Sequence, residues 1–277
     1  MIKKVLVTGA GGYIGRFVVK ELCDLGFDVI ASNLFPDGID IRAKVITDDI
    51  FSLGEYAFDK LGKPDVCLHL AWRDGFVHNS NAHMEDISKH YEFVENMIKG
   101  GLHQFCGMGS MHEIGYYEGV IDENTPCNPM SQYGIAKNAL RQSLELLCKQ
   151  NDVNFQWIRG YYIYGDDIKS HSIFAKICQA AEDGKHTFPL NSGKNKYDFI
   201  HVGELARQIV AVITQNRILG VINCCSGIPL SLGEMVEKFI KEHGFDMSPE
   251  YGVYPDRPYD SPAVWGSSEK IDLIMRK

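Results

Sequence analysis

Tyr133 and Lys137 stand four residues apart in Tyr133-Gly134-Ile135-Ala136-Lys137. On a helix that spacing puts both side chains on one face. A lysine ammonium beside a phenol favours the phenolate, which lowers the tyrosine pKa toward the working pH and makes the pair a proton-transfer device. A second signal lies near the N-terminus, in Thr8-Gly9-Ala10-Gly11-Gly12-Tyr13-Ile14-Gly15. It follows the apolar run Val5-Leu6-Val7 and opens onto a helical pattern of Ile14, Phe17, Val18, Leu22 and Leu25. Glycines at 9, 12 and 15 suit a tight turn, a backbone close to a pyrophosphate, and tight packing of helix on strand. The N-terminus of that helix would stabilise the diphosphate charge.

Placing these groups requires strands and helices in alternation, and the first two-thirds of the chain supplies them. Strands are expected at Val5-Leu6-Val7, Asp28 to Ala31, Lys44 to Ile46, Asp65 to Leu70, His103 to Met108 and Asn154 to Ile158. Helices are expected from about Ser80 to Lys99 and Ser131 to Gln150. Such alternation is the signature of a parallel sheet with helices on both faces. The fold class is therefore α/β, a Rossmann-like doubly wound parallel sheet. After Gly165 the pattern changes. Loops rich in Gly, Asn, Pro and Lys run from Glu182 to Lys196, a helix is expected over about Leu230 to His243, and prolines punctuate the tail from Ser248 to Pro262. This suggests a dinucleotide-binding domain of 1–165 plus about 197–222, and a substrate-binding lobe of about 166–196 plus 223–277.

Composition bounds the function. Of 277 residues, 45% are hydrophobic and 23% charged, as in an ordinary globular protein. The net charge of −8 argues against a general nucleic-acid or membrane-surface binder. It leaves room for an anionic small ligand held by a helix terminus and a few cations. None of the eight cysteines forms a C-x-x-C pair, so they read as reduced core residues and not as a disulfide frame or metal site. The apolar stretch behind the N-terminal lysines is too short for a signal peptide, and no transmembrane run is expected. The expected compartment is the cytoplasm, with no metal.

The glycine spacing is G-x-x-G-x-x-G, and here the sequence resembles the extended short-chain dehydrogenase/reductases (the NAD-dependent epimerase/dehydratase family). That group includes nucleotide-sugar epimerases, dehydratases and 4-ketoreductases. Further segments carry the likeness. His69-Leu70-Ala71-Trp72 resembles the family's His-Leu-Ala-Ala beside the cofactor, and Asp49-Ile50 resembles the pair that meets the adenine. Arg159 to Gly165 resembles the stretch beside the nicotinamide. Tyr197-Asp198-Phe199-Ile200-His201-Val202 resembles the Arg-Asp-Phe-Ile-His-Val return segment, with Tyr197 in place of the arginine. The resemblance implies a third catalytic member, a hydroxyl at the end of the fifth strand. Ser110 is the only local candidate and lies 23 residues before Tyr133. It would hold the reacting oxygen, and Lys137 would also hold the nicotinamide ribose. Cofactor contacts are expected from Gly9, Gly12, Tyr13, Ile14, Gly15, Arg16, Ser32, Asn33, Asp49, Ile50, Leu70, Ala71, Trp72, Tyr133, Lys137 and Tyr162.

An acidic residue about 20 positions past the glycines usually marks NAD. Here the second strand ends Ile30-Ala31-Ser32-Asn33-Leu34. Ser32 and Asn33 would not repel a 2′-phosphate, and Arg16 lies where a guanidinium could reach it. NADP(H) is the preferred cofactor, with NAD(H) also admitted. On the substrate side stand Arg73, His78, Ser110, Met111, His112 and Arg257, with Trp72, Phe76 and Asn79 bordering the pocket and Lys176, Lys185, Lys194 and Lys196 as further phosphate candidates.

For the reaction, family dehydratases place Asp-Glu next to the serine, whereas Met111-His112 follow Ser110 here and Glu113 comes one step later. Family epimerases use the acidic second-strand residue, which is missing. The resemblance is strongest to reductases of nucleotide-linked 4-keto-6-deoxy sugars, for instance those making dTDP-fucose, with Tyr133 as proton donor. An epimerase, a dehydratase and a non-catalytic NADP-sensing protein remain the alternatives. The family packs two helices in a four-helix dimer interface. Segments 80–99 and 131–150 match them, and the second carries Ile135, Ala139, Leu140, Leu144 and Leu147, more apolar residues than one face needs. A homodimer is expected.

Overall fold

Val5, Leu6 and Val7 are fully buried because their strand lies inside a sheet with neighbours on both edges and helices on both faces. The structure is a computed structural model and describes residues 2–165, 172–256 and 260–276. In chain order the elements are β1 (Lys4–Thr8), α1 (Tyr13–Asp24), β2 (Asp28–Ser32), β3 (Lys44–Ile46), α2 (Ala57–Lys60), β4 (Val66–His69), α3 (Ala82–Gly100), β5 (Gln104–Ser110), β6 (Gly119–Ile121), α4 (Gln132–Gln150), β7 (Asn154–Gly160) and β8 (Tyr162–Tyr164). Then follow α5 (Ile173–Glu182), β9 (Thr187–Pro189), β10 (Lys196–His201), α6 (Val202–Ile213), β11 (Gly220–Cys224), β12 (Pro229–Ser231), α7 (Leu232–Glu242), β13 (Ser248–Glu250), β14 (Ala263–Gly266) and α8 (Glu269–Met275).

Seven strands form one parallel sheet in the order β3-β2-β1-β4-β5-β7-β11. Strands buried on both faces read as continuous apolar runs, which is why the sequence shows no alternation there. On one face Val18, Val19 and Leu22 of α1 pack with Leu205 and Ile209 of α6 and Ile271 and Ile274 of α8. On the other, Phe93, Val94 and Met97 of α3 pack with Leu140, Leu144 and Leu147 of α4. The strand order reverses between β1 and β4, where Thr8 pairs with His69. In open α/β sheets ligands bind in the crevice at the carboxyl ends of strands at such a switch point.

A second sheet runs β12-β10-β14-β6, with β8 paired to the far end of β10. It underlies a third core in which Phe174 and Ile177 of α5 and Val236 and Phe239 of α7 pack on Tyr197 and Phe199 of β10. The segment of about 197–222, assigned from sequence to the dinucleotide-binding domain, holds most of β10, all of α6 and the start of β11. The expected loops at 182–196 contain β9, which pairs in parallel with β13. Strands of three residues carry too little periodicity to be seen in the sequence.

The apolar excess read on segment 131–150 is mostly absorbed within the chain. Leu140, Leu144 and Leu147 are buried in its own core, while Ile135 and Leu146 face outward. All eight cysteines are free thiols. Among the described residues no helix is long and apolar enough to cross a membrane.

Candidate active site

The glycine loop turns at the carboxyl end of β1. Gly9 adopts a φ of +68°, and a Cβ there would lie 2.7 Å from the Ala71 nitrogen. At Gly15 a Cβ would lie 2.3 Å from the Gly9 carbonyl oxygen, so α1 can seat on the loop only without a side chain. Gly12 stands at the N-cap of α1, and no side chain caps that helix. An uncapped helix N-terminus over a bare glycine turn fits a diphosphate. Leu70 and Ala71 are tied to β1, their N–H groups donating to the Thr8 carbonyl (3.2 Å) and hydroxyl (3.3 Å).

Ser32, buried, ends β2. Asn33 sits against the loop, because a Cβ on Gly11 would come 2.8 Å from its Nδ2, and that amide donates to the Phe35 carbonyl at 2.6 Å. The Arg16 stem packs on Gly38, 3.1 Å from where a Cβ would be. No carboxylate ends the strand, and Asp40 beyond it is engaged by Arg42 at 2.6 Å. Asp49 caps a short turn by accepting from the Phe51 N–H (3.0 Å), and Ile50 anchors that turn in the core. Ile14 packs partly buried against the core under α1. The Tyr13 hydroxyl lies beside Gly165, 2.8 Å from where a Cβ would be.

Ser110 ends β5 and starts a short 3-10 turn, where its hydroxyl accepts from the His112 N–H at 3.3 Å. Tyr133 lies in the first turn of α4, capped by Ser131. Its N–H donates to the His78 carbonyl at 2.9 Å. Gly134 presses on the same turn, because a Cβ there would come 2.3 Å from the His112 carbonyl oxygen. The start of α4 is thus pinned between two loops, which brings the Tyr133 phenol next to Ser110, whose hydroxyl favours the phenolate. One turn further on, Lys137 is buried, donates to the Met108 carbonyl at 2.7 Å, and has its Nζ 5.8 Å from the Tyr133 ring centre.

Burial sets the charges. It pushes the Tyr133 phenol up to about 12, although the Ser110 hydrogen bond pulls the other way. It pushes Lys137 down to about 7, opposed by the Glu113 carboxylate. The direction is opposite to the expected lowering: burial of the phenol, aided by the Glu113 carboxylate, outweighs the pull of Ser110. Glu113 itself is fully buried. It accepts from the Ser110 N–H (2.9 Å) and Trp157 Nε1 (2.8 Å) and pairs with Arg159 (3.4 Å) and Arg141 (3.7 Å).

His78 and His112, which pack on the Tyr133 ring, also line a cavity of about 590 Å³ together with Met111, Tyr162, Tyr197 and Asp260. His78 stacks on Tyr133, with ring centroids 5.5 Å apart and planes 12° from parallel. Tyr162 stacks on Tyr197 at 4.2 Å. Tyr197 and Asp260 also line a second cavity of about 640 Å³, bounded by Lys176, Lys185, Phe188 and Leu190. The two spaces meet at Tyr197 and Asp260.

A match to the NAD dependent epimerase/dehydratase family spans residues 5–225. The dTDP-6-deoxy-L-talose 4-dehydrogenase (NAD(+)) of Aggregatibacter actinomycetemcomitans is 45% identical over 268 residues, covering 95% of this chain and 99% of the relative. The chain is a member of the NAD dependent epimerase/dehydratase family. Its fold is shared by a UDP-N-acetylglucosamine 4-epimerase from Methanobrevibacter ruminantium (TM-score 0.87, 19% identity, 100% and 93% of the two chains). A UDP-glucose 4-epimerase from Thermotoga maritima matches with a TM-score of 0.82 at 22% identity over 98% and 91% of the chains.

In this family member, Ser110, Tyr133, Lys137, His78, Met111, His112 and Tyr162 come together. Arg73 instead points along α3, pairing with Glu85 (3.0 Å) and Asp86 (2.9 Å), and is not among the residues lining the cavity. Lys176 and Lys185 line the larger cavity, whereas Lys194 and Lys196 do not. Arg257 lies outside the described residues. Sequence reasoning missed Tyr116, Met130, Asp260 and Val264 on the cavity wall; long-range pairing of β14 with β6 and β10 brings Val264 and the neighbouring Asp260 there. Tyr197 was visible only as a departure from the family's arginine.

Proposed function

We propose that this protein is a nucleotide-sugar oxidoreductase that interconverts a C4 hydroxyl and a C4 ketone on a dTDP-linked 6-deoxyhexose. The Tyr133 phenol beside Ser110, with Lys137 one turn on and with His78 and His112 of the 590 Å³ cavity packed against the Tyr133 ring, carries this reading. The dinucleotide, when bound, takes up or supplies the hydride. Tyr133 moves the proton: on reduction its phenol protonates the oxygen as the C4 carbonyl becomes an alcohol, and on oxidation its phenolate accepts the hydroxyl proton. Ser110 holds that oxygen in line. Lys137 stabilises the phenolate and holds the ribose. The protonated resting phenol suits the reductive direction. The name of the 45% identical relative describes the same chemistry run as oxidation and points to 6-deoxy-L-talose rather than fucose as the reduced sugar.

The inward turn of Glu113 supports this reading over a dehydratase. Its carboxylate is consumed by Ser110, Trp157 and two arginines and does not face the cavity. We further propose that Gly9, Gly12 and Gly15 hold the diphosphate, that Ser32 and Asn33 face the adenosine ribose, and that both NAD(H) and NADP(H) are accepted. The absence of a carboxylate at the end of β2 removes the repulsion of a 2′-phosphate, with Arg16 favouring NADP(H). A homodimer through α3 and α4, with Ile135 and Leu146 at the contact, completes the proposal, and light scattering at micromolar concentration checks it.

The deciding experiment incubates the protein with dTDP-6-deoxy-L-talose and NAD⁺. Appearance of NADH with a sugar nucleotide two hydrogens lighter is expected. Conversion of UDP-glucose to UDP-galactose without net dinucleotide reduction would instead make the protein an epimerase.

A further inference from the structure

Trp72 is the residue in His69-Leu70-Ala71-Trp72 where the resembling family motif ends in alanine. Its indole is fixed on several sides. Nε1 donates to His83 Nδ1 at 3.1 Å, and His83 Nε2 in turn donates to the Val77 carbonyl at 3.0 Å. The His90 ring stacks on the indole with centroids 4.6 Å apart and planes 14° from parallel. His90 is itself anchored by His69 (2.8 Å), and His69 by the Thr8 hydroxyl (2.8 Å). The Lys137 ammonium sits over this immobilised ring, 3.7 Å from its centre.

We propose that Trp72 is a positioning residue that keeps Lys137 charged and in place for Tyr133 through the face of its indole ring.

The surroundings of Lys137 leave that task to few groups. Facing it are Tyr133 on its own helix, His69 on β4, His90 on α3 and Glu113 in the turn after β5. Burial keeps both histidines neutral, and each is further disfavoured as a cation by the lysine. Glu113 favours the ammonium, but Arg159 and Arg141 already share its carboxylate. The Met108 carbonyl satisfies one N–H at 2.7 Å. An aromatic face attracts a cation most strongly where water is excluded. The tryptophan therefore offsets part of the desolvation that holds Lys137 near neutrality.

The inference rests on the oxidoreductase reading only for its consequence in turnover, so the test has an arm without substrate. The pH at which Lys137 loses its proton is read by NMR of ¹³C-labelled lysines in the full-length protein, with Lys137→Arg assigning the resonance. Trp72→Phe and Trp72→Leu both remove the N–H donated to His83, and only Phe keeps an aromatic face. The Leu variant should lower the midpoint by roughly one pH unit and the Phe variant by clearly less. The alkaline limb of kcat should move in the same order, with KM for the sugar nucleotide unchanged. If the Leu variant fails to fold, Trp72→Met takes its place. A Leu midpoint equal to wild type, or Leu and Phe shifted equally, overturns the role of the ring. Normal turnover by Tyr133→Phe would overturn the oxidoreductase reading and leave the titration result standing.

Discussion

His69 Nε2 and His90 Nδ1 share a hydrogen bond of 2.8 Å in a pocket where both rings are buried. Two imidazoles in one hydrogen bond cannot both be protonated, and burial disfavours the cation of each. His69 lies well below the ordinary histidine value, and His90 is pushed down to about 3, in both cases chiefly by desolvation. The unfolded chain therefore binds more protons than the folded one over the interval from ordinary histidine titration down to the depressed folded value. Stability rises with pH there and is lost on acidification. At pH 5 one such histidine costs about 2 kcal/mol relative to neutral pH. Urea midpoints measured between pH 7 and pH 5 should fall steeply, and His90→Gln should flatten the slope. An unchanged slope in that variant would assign the acid sensitivity elsewhere.

Glu113→Gln removes the charge but keeps the shape of the group that receives Ser110, Trp157 and the arginines. Breaking a buried pair by neutralising one partner is costly because it leaves the other charge uncompensated, on the order of 3–5 kcal/mol. Arg159 is almost wholly buried, so the upper part of that range is expected. Chemical denaturation of the variant measures it. Turnover per folded molecule should fall only modestly, since Glu113 positions Ser110 from behind and does not face the cavity. Loss of activity with unchanged stability would point to direct acid-base use of this carboxylate.

Much of the site was legible because it sits on local signals. The glycine loop, Tyr133 with Lys137, and Ser110 each lie at the end of a strand or the start of a helix whose pattern spans a continuous segment. The walls of the cavity were not legible. Asp260 and Val264 reach it because β14, near the C-terminus, pairs with β6 and β10. No local spacing encodes that pairing. The partners of Arg73 were not legible for a related reason: its nearness in sequence to Trp72 says nothing of Glu85 and Asp86, which α3 places beside it. The direction of the Tyr133 shift was not legible because burial and the Glu113 carboxylate, both set by tertiary packing, outweigh Ser110.

Cofactor choice hinges on the end of β2. With Ser32 and Asn33 in place of an acid and Arg16 packed on Gly38, NADPH and NADH should both bind, NADPH more tightly. Arg16→Ala should weaken NADPH by about 1–2 kcal/mol, the scale of a partly exposed charge-assisted contact, and leave NADH nearly unchanged. Fluorescence titration of both dinucleotides against both proteins measures this. An equal loss for the two would show that Arg16 supports the fold of the loop and not the phosphate.

The catalytic assignment makes the sharpest demand. As the carbonyl is reduced, negative charge grows on its oxygen, and a phenol held near 12 by burial keeps its proton until that charge appears. Positioned proton transfer contributes about 10²–10⁴-fold, so Tyr133→Phe should lower turnover by that range with dinucleotide affinity nearly intact. Ser110→Ala should cost on the order of 10²-fold, as for one lost oxyanion donor. Lys137→Ala should harm both turnover and dinucleotide binding, on the proposal that one ammonium serves the phenol and the ribose. Reduction consumes a proton and oxidation releases one, so the equilibrium should move tenfold toward the ketone per pH unit. Stopped-flow traces at saturating substrate separate the chemical step from product release. If Tyr133→Phe retains near-normal rates in that step, His112 or Tyr162, both on the cavity wall, must carry the proton instead.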